Sequence, residues 1–88
     1  MKNRRTQVSE AAMARALTAV REHVKVVLQK HGKGTFASRA EALGVIQLEL
    51  REYEGKVQAR DREGQQHELK DIAVACIFAL ACENTFDW

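Results

Sequence analysis

Two acidic motifs, each with two carboxylates one helical turn apart, hold the residues of this chain best suited to chemistry. They are Glu49-Leu50-Arg51-Glu52 and Glu68-Leu69-Lys70-Asp71. Side chains at positions i and i+3 point in roughly the same direction from a helix, so two adjacent helices would gather four oxygen ligands. Mg²⁺ prefers such ligands, and Mn²⁺ is an alternative ion. The motifs therefore predict a metal site formed by Glu49, Glu52, Glu68 and Asp71.

The polar segment 60–64 between the motifs predicts a tight turn that joins two antiparallel helices. A helix rises about 1.5 Å per residue, so a turn centred near Arg62 places Glu52 and Asp71 at nearly the same depth. Glu49 is then expected one turn deeper than Glu52, and Glu68 one turn shallower than Asp71. This arrangement predicts a diamond of carboxylates across the hairpin.

Three helices account for most of the chain. Ser9 is a candidate N-cap of a first helix that ends near His31, where Gly32 suits the left-handed C-cap position. Ser38 and Glu41 form a capping-box pattern that opens a second helix at about residue 39. The third helix is expected to run from residue 65 or 66 to about residue 83. With no proline and five glycines in 88 residues, the sequence predicts one all-α domain, residues 1–88, whose residues 1–8 form a flexible tail.

Apolar residues recur at helical spacing and indicate which faces are buried. The stripe of the first helix is Met13, Leu17, Val20, Val24 and Val27, and the main stripe of the second is Leu43, Ile46, Leu50, Tyr53 and Val57. The segment from residue 72 to 82 is apolar nearly all round, and two partner helices cannot cover every side of it. We therefore expect a helix-hairpin bundle that is completed by homo-oligomerisation.

A second interpretation of the acidic residues needs no metal. Glu68 and Asp71 would favour the positive N-terminal end of the third helix, while Glu49 and Glu52 would be solvated carboxylates. However, the second pair shares a helix face with Ala75, Phe78, Ala79 and Cys82, which is expected to be buried. Acidic groups beside an apolar face are costly unless they are paired or metal-bound, which favours a site.

Basic residues near these elements are candidate phosphate contacts. Lys30, Lys33 and Arg39 surround the loop before the second helix, and Lys56 lies on the same flank as Glu52. The alternatives are an ordinary basic loop for the first three and a surface ion pair for Lys56. Glu41 could join the acidic cluster, although its capping box with Ser38 explains it more simply.

The histidines, cysteines and aromatic residues are expected to be structural. His23, His31 and His67 have no mutual metal-ligand spacing, and His67 is expected in a loop. Cys76 and Cys82 lie in the apolar run and are expected to be buried and reduced, on different helix faces. Three aromatic residues either pack as anchors or stack on a base, namely Phe36, Phe86 and Trp88.

Composition argues against several other classes of protein. A net charge of +2 is mild for a nucleic-acid binder, and the alternative of DNA binding rests only on Lys2, Arg4 and Arg5. The longest apolar run has 11 residues, too short to span a bilayer. No secretory signal pattern is evident, and unpaired cysteines suit the cytoplasm, which we expect as the location.

The order and spacing of the acidic motifs resemble a known family. Glu-x-x-Glu, the gap 53–67 and Glu-x-x-Asp resemble the signature of the MazG-like all-α nucleoside triphosphate pyrophosphohydrolases, and the similarity extends over segments 36–43 and 68–74. It covers about half of the chain.

The resemblance implies hydrolysis of a nucleoside triphosphate between its α and β phosphates, giving the monophosphate and pyrophosphate. It also implies that Glu49 or Glu52 acts as general base, with Mg²⁺ held by all four carboxylates. Relatives remove non-canonical or surplus nucleotides and form dimers or tetramers with sites between subunits. The alternative is a non-catalytic helical oligomerisation or regulatory module of the same fold.

Overall fold

The structure, a computed structural model, describes residues 5–85 and consists of three helices. They are α1 (Glu10–His31), α2 (Arg39–Gln58) and α3 (Arg62–Thr85), and the described range contains no strand. The all-α prediction is therefore confirmed. None of the helices in this range has the length and hydropathy that crossing a membrane requires.

The ends of α1 follow from the residues at its caps. The Ser9 hydroxyl accepts a hydrogen bond from the Ala12 N–H at 3.0 Å. At the other end, Gly32 has a φ of 79° and its N–H donates to the Leu28 carbonyl at 2.8 Å. A glycine adopts this left-handed φ without steric strain, so the helix ends where the sequence predicts.

The start of α2 is also as predicted, with a variation in the capping box. The Glu41 N–H donates to the Ser38 hydroxyl at 3.1 Å, which makes Ser38 the N-cap. The Glu41 carboxylate accepts a hydrogen bond from the Ala37 N–H at 2.7 Å, one residue earlier than in the usual capping box. Glu41 therefore acts in the cap and is not part of the acidic cluster.

The third helix begins earlier than expected, at Arg62 instead of residue 65 or 66. The reason is an N-cap at Asp61, whose carboxylate accepts a hydrogen bond from the Gly64 N–H at 2.9 Å. The Asp61 carbonyl also accepts from the Gln65 N–H at 2.8 Å. Arg60 reverses the chain with a left-handed φ of 58°. The hairpin turn is thus confined to residues 59–61.

Helix α3 is the centre of the bundle, because α1 and α2 both pack on it while no Cα atoms of α1 and α2 approach within 8 Å within the described range. An ion pair between Arg39 and Glu83 (Nε to Oε2, 2.8 Å) joins the start of α2 to the end of α3. Phe36 packs edge-on against Phe78 with ring centroids 5.1 Å apart. These contacts fix α2 and α3 as an antiparallel hairpin.

The apolar core of the described residues is small. Its buried hydrophobic side chains are Ala42, Val74, Ala75 and Cys82. Cys76, which was expected to be buried, is exposed, because it lies on the face of α3 that is turned away from both neighbouring helices. Both cysteines are free thiols.

Many apolar side chains remain at the surface. In α2, Leu43, Leu50 and Val57 are 56%, 55% and 44% exposed, whereas Ile46 and Tyr53 are half-buried, so only part of the predicted main stripe is covered. The covered side of α2 is the one that carries the small residue Ala42, which is buried. Small side chains at a crossing allow helices to approach closely.

The other two helices are also incompletely covered. Met13 and Leu17 are exposed, while the later members of the α1 stripe are half-buried against α3. On α3, Ile77 and Leu80 are exposed. The predicted apolar circumference of α3 is therefore present, but within this one chain only part of it is covered.

Parts of the predicted tail and two aromatic residues lie outside the described residues. Lys2 and Arg4 are the tail residues concerned, and Phe86 and Trp88 are the aromatic residues. Arg5 and the residues up to Ser9 precede α1 without regular secondary structure and are exposed.

Replacing Asp61 tests the cap that sets the start of α3. Asp61→Ala removes the acceptor of the Gly64 N–H, so we expect the free energy of unfolding to fall by about 1 kcal/mol. Asp61→Asn retains a side-chain oxygen and is expected to change stability little. Urea denaturation followed by circular dichroism measures both, and equal losses for the two variants would contradict the cap.

Candidate metal centre

The position of the turn decides which carboxylates face one another. With the turn centred at Arg60, Glu52 and Glu68 lie eight residues before and after it, and Glu49 and Asp71 lie eleven residues before and after it. The carboxylates therefore form two level pairs across the hairpin. This corrects the expected diamond, because the N-cap at Asp61 starts α3 three or four residues early.

Three of the four predicted ligands converge closely. Glu49, Glu52 and Glu68 each place a carboxylate oxygen within 4.8 Å of those of the other two. The fourth, Asp71, forms a second group with Glu68 and His67 at the same spacing. Glu68 belongs to both groups, so all four predicted ligands lie in one continuous cluster between α2 and α3.

Glu68 is the most buried member of the cluster, with 6% of its surface exposed. Burial raises its pKa, and the neighbouring carboxylates of Asp71 and Glu52 raise it further. A buried carboxylate that faces other carboxylates is unfavourable as an anion unless a proton or a cation joins it. Glu68 therefore lies on the buried face of α3, as the sequence predicts.

Glu49 has a similar environment on α2. Burial, followed by the charges of Asp71, Glu52 and Glu68, raises its pKa from 4.5 to about 7. Its Oε2 atom is buried and has no hydrogen-bond partner. Most buried polar atoms in proteins are hydrogen-bonded, so an orphaned carboxylate oxygen beside other carboxylates is suited to receive a cation.

The chemistry of this donor set fits Mg²⁺. Glu49, Glu52 and Glu68 supply only carboxylate oxygens, which a hard cation prefers. Glu52 is exposed, so the cluster opens to solvent and an ion can enter with part of its hydration shell. The residues present can therefore hold the predicted ion, which would also neutralise their mutual repulsion.

Two histidines that were not predicted as site residues contact Asp71. The His23 Nε2 atom lies 2.6 Å from Oδ1 of Asp71, and the His67 Nε2 atom lies 3.3 Å from Oδ2. The two imidazole rings also meet edge to face, with centroids 5.6 Å apart. Asp71 is thus held between α1 and its own helix.

The sequence contained a signal for each histidine. His67 lies in α3 and not in a loop, because α3 starts at Arg62, and four residues separate it from Asp71, so both occupy one helix face. His23 lies between Val20 and Val27 at helical spacing and therefore shares the face of α1 that packs on α3. The expectation of an isolated loop histidine at position 67 was wrong.

A cleft of about 710 Å³ opens beside the cluster, between α1 and α2. It is present because these two helices pack on α3 and not on each other. Glu49, Asp71, His23 and His67 line its polar side. Its apolar side is lined by Val45, Val74, Phe36 and Phe78, and Lys30 and His31 are at its rim. A cleft of this size can hold a small organic ligand.

Comparisons of the chain with known protein families, with curated proteins and with solved structures found no match.

Of the four candidate phosphate contacts, Lys30 lines this cleft and the other three do not. Arg39 pairs with Glu83 at the far end of the hairpin, ten residues before Glu49 and therefore about 15 Å away along the helix. Lys33 lines a separate, smaller cavity of about 260 Å³. Lys56 lies one turn beyond Glu52 and has its ammonium nitrogen 3.8 Å from Asp61.

Stability should depend on pH through Glu49 when no metal is present. Because its pKa is raised in the fold, the folded chain keeps a proton that the unfolded chain has lost between pH 4.5 and about 7. The free energy of unfolding should therefore fall as the pH rises through this window. In Glu49→Gln the fall should be shallower.

Urea denaturation in buffer with a chelator, at several pH values, measures this dependence. Glu54→Gln is the matched control, because Glu54 is exposed on α2 and outside both ligand groups. It should keep the slope of the unaltered chain. A slope in Glu49→Gln equal to that of Glu54→Gln would contradict the raised pKa.

Proposed function

We propose that the chain is a Mg²⁺-dependent nucleoside triphosphate pyrophosphohydrolase, which releases the monophosphate and pyrophosphate. The observation that carries the proposal is the convergence of Glu49, Glu52, Glu68 and Asp71 between two helices, beside a cleft of about 710 Å³. The spacing of the two motifs along the chain, which resembles the MazG-like signature, supports the same activity. The natural role would be removal of surplus or non-canonical nucleotides.

Electrostatics explains why such a cluster suits a triphosphate only together with cations. The four carboxylates repel one another, as the raised pKa values of Glu49 and Glu68 indicate, and they would repel phosphates equally. When bound, Mg²⁺ offsets both charges, polarises the phosphate oxygens and lowers the pKa of a coordinated water. The side chains of the cluster hold and orient these charges.

Glu49 is the better of the two predicted general bases. Its carboxylate is half-buried and lines the cleft, where an attacking water would lie, whereas Glu52 does not line the cleft. Its Oε2 atom has no protein partner and is available to a water molecule. Glu52, which is exposed, would serve mainly as a ligand.

The cleft would hold the rest of the nucleotide. Its apolar wall, which includes Phe36 and Phe78, suits the planar base, since aromatic rings stack on such groups. Lys30 and His31 also line this cleft, so Lys30 is the best placed of the predicted basic residues to contact phosphate oxygens. Lys33, Arg39 and Lys56 are therefore weaker candidates for direct phosphate contact.

We also propose that copies of the chain associate as a dimer or tetramer. Leu43, Leu50 and Val57 recur every seven residues on α2 and are all about half exposed. A heptad stripe of this kind is typical of a helix that packs against another helix. The small core of the single chain strengthens the argument, because 88 residues bury little apolar surface alone. The two free thiols also favour a cytoplasmic location.

A non-catalytic oligomerisation or regulatory module is the second candidate. The exposed stripe of α2 favours it independently of the carboxylates, since this stripe serves association whether or not a nucleotide is cleaved. The two candidates differ in one property, which is turnover of a nucleotide in the presence of Mg²⁺.

A turnover assay with a charge-neutral variant tests the main proposal. With Mg²⁺, the chain should convert at least one nucleoside triphosphate into the monophosphate and pyrophosphate. Glu52→Gln should lower kcat at least about a hundredfold, because it removes a charge that helps to hold the ion. Glu54→Gln, an exposed change on the same helix, should retain full activity.

Separating the products by chromatography identifies the bond that is cleaved. Release of orthophosphate would contradict cleavage between the α and β phosphates. If an assembled sample converts none of a broad panel of canonical and damaged nucleotides with Mg²⁺ or Mn²⁺, the non-catalytic module becomes the better interpretation. A melting temperature of Glu52→Gln, in the absence of metal, that is no lower than that of the unaltered chain ensures that lost turnover does not reflect lost folding.

A substitution that introduces a charge in the middle of the α2 stripe tests whether copies of the chain associate through this stripe. Light scattering should give a multiple of the 9.9 kDa chain mass for the unaltered protein. Leu50→Glu should give a single chain, because a buried, unpaired carboxylate is unfavourable in a helix contact. Leu50 is exposed within the chain, so the helices themselves should remain folded.

Leu80→Glu, on the exposed face of α3, serves as the comparison for the α2 stripe. A single-chain mass for the unaltered protein at micromolar concentration would contradict the oligomer. If the mass stays unchanged in Leu50→Glu but falls in Leu80→Glu, the interface is on α3 and not on the α2 stripe.

A further inference from the structure

Glu68 belongs to two groups of ligand atoms, and only one of them consists of carboxylates alone. The other is His67, Glu68 and Asp71, with one ligand atom of each within 4.8 Å of the others. We propose that this second group binds a late first-row transition ion such as Zn²⁺, next to the Mg²⁺ position and sharing Glu68 with it. The inference rests on the proposed function only for the neighbouring Mg²⁺ ion.

The ligand types distinguish the two positions. Glu49, Glu52 and Glu68 offer oxygen atoms alone, which suit Mg²⁺. His67 adds an imidazole nitrogen, a ligand that Zn²⁺ and other late transition ions bind more strongly than Mg²⁺ does. One imidazole and two carboxylates would leave the fourth tetrahedral position for water or a phosphate oxygen, as in catalytic zinc sites.

The distances within the second group are those of ligands around a single ion. The His67 Nε2 and Asp71 Oδ2 atoms are 3.3 Å apart. Two ligand atoms at about 2.1 Å from a tetrahedral ion lie about 3.4 Å from each other. An ion can therefore replace the contact between these two side chains without a movement of α3, since both belong to the same helix face.

His23 holds the other oxygen of Asp71. Its Nε2 atom lies 2.6 Å from Oδ1, so Oδ2 remains directed to His67. The His23 side chain is 13% exposed and comes from α1, which makes it a positioning residue from a different helix. Metal-binding groups in proteins are commonly oriented by such hydrogen-bonded neighbours.

The burial of Glu68 is an independent observation that favours a cation at this position. Only 6% of this residue is exposed, and the polar groups that most affect its carboxylate are the carboxylates of Asp71 and Glu52 and the His67 imidazole. Carboxylates without a proton cannot donate hydrogen bonds to one another. A cation on each side of Glu68, one in each ligand group, would compensate its burial.

Titration with Co²⁺, followed by visible absorbance, tests the second position without nucleotide. All samples carry Cys76→Ser, because an exposed thiol also binds such ions. His67→Gln should weaken Co²⁺ binding at least about tenfold, while Mg²⁺ binding, measured by calorimetry, should stay unchanged. His31→Gln is the matched control, since His31 is an exposed histidine that lines the same cleft but lies outside the ligand group, and it should bind Co²⁺ with unaltered affinity.

Three results would overturn the inference: no Co²⁺ binding to the parent protein, equal Co²⁺ affinity in His67→Gln and His31→Gln, or equal losses of Co²⁺ and Mg²⁺ affinity in His67→Gln. His67 is 61% exposed, so its replacement should not disturb folding, and circular dichroism checks this. If Co²⁺ binding depends on His67 but no nucleotide is hydrolysed, the proposed function fails while the metal position stands. If hydrolysis occurs and His67→Gln binds Co²⁺ normally, the metal position fails alone.

Discussion

Repulsion between carboxylates that helix packing holds together is the constraint on which the rest of the structure depends. Glu68 is buried against α2, and its charge faces those of Glu52 and Asp71. The hairpin cannot relieve this repulsion by opening, because the burial of Ala42 and Val74 requires the helices to stay in contact. Protons or cations must neutralise the cluster instead. The raised pKa values, the orphaned oxygen of Glu49 and the fit to divalent ions are all consequences of this one conflict.

Helix α1 supplies none of the four carboxylates and contacts the cluster only from the side of α3. It packs on α3 with half-buried valines and contacts Asp71 through one histidine, and it leaves a gap to α2. That gap is the cleft, so the same arrangement that leaves apolar side chains uncovered also provides space for a ligand. A bundle with a fully closed core would have no such space. The limited core of the single chain and the presence of a cleft therefore have a common origin.

Local chemistry in the sequence predicted the parts of the fold that depend on nearest neighbours. The caps at Ser9, Gly32 and Ser38 and the hairpin itself are as expected, because each depends on residues within one turn. The cluster was anticipated for the same reason, since carboxylates three apart share a helix face. The depth of each carboxylate along the hairpin was not predicted correctly, because it depends on where α3 begins. Asp61 sets that start as the N-cap, although the sequence also suits it to the polar turn. Burial on α2 was predicted only in part, because the sequence shows apolar residues on two faces of this helix and does not show which side packs on α3. Ile46 and Tyr53 of the main stripe are half-buried, but its other three members are exposed.

The short turn at residues 59–61 makes the number of residues between the motifs as important as their identity. Arg60 occupies a left-handed conformation, and Asp61 caps α3 directly after it. Each residue of the turn therefore has a fixed conformational role, and the turn cannot change length without moving α3. An insertion of one residue there would rotate all of α3 by about 100° relative to α2, which would direct Glu68 away from Glu52. Substitutions at Ala59, whose φ of -79° is ordinary, would leave the pairing intact. Over evolutionary time, this loop should therefore resist insertion and deletion, the reverse of the usual behaviour of surface loops.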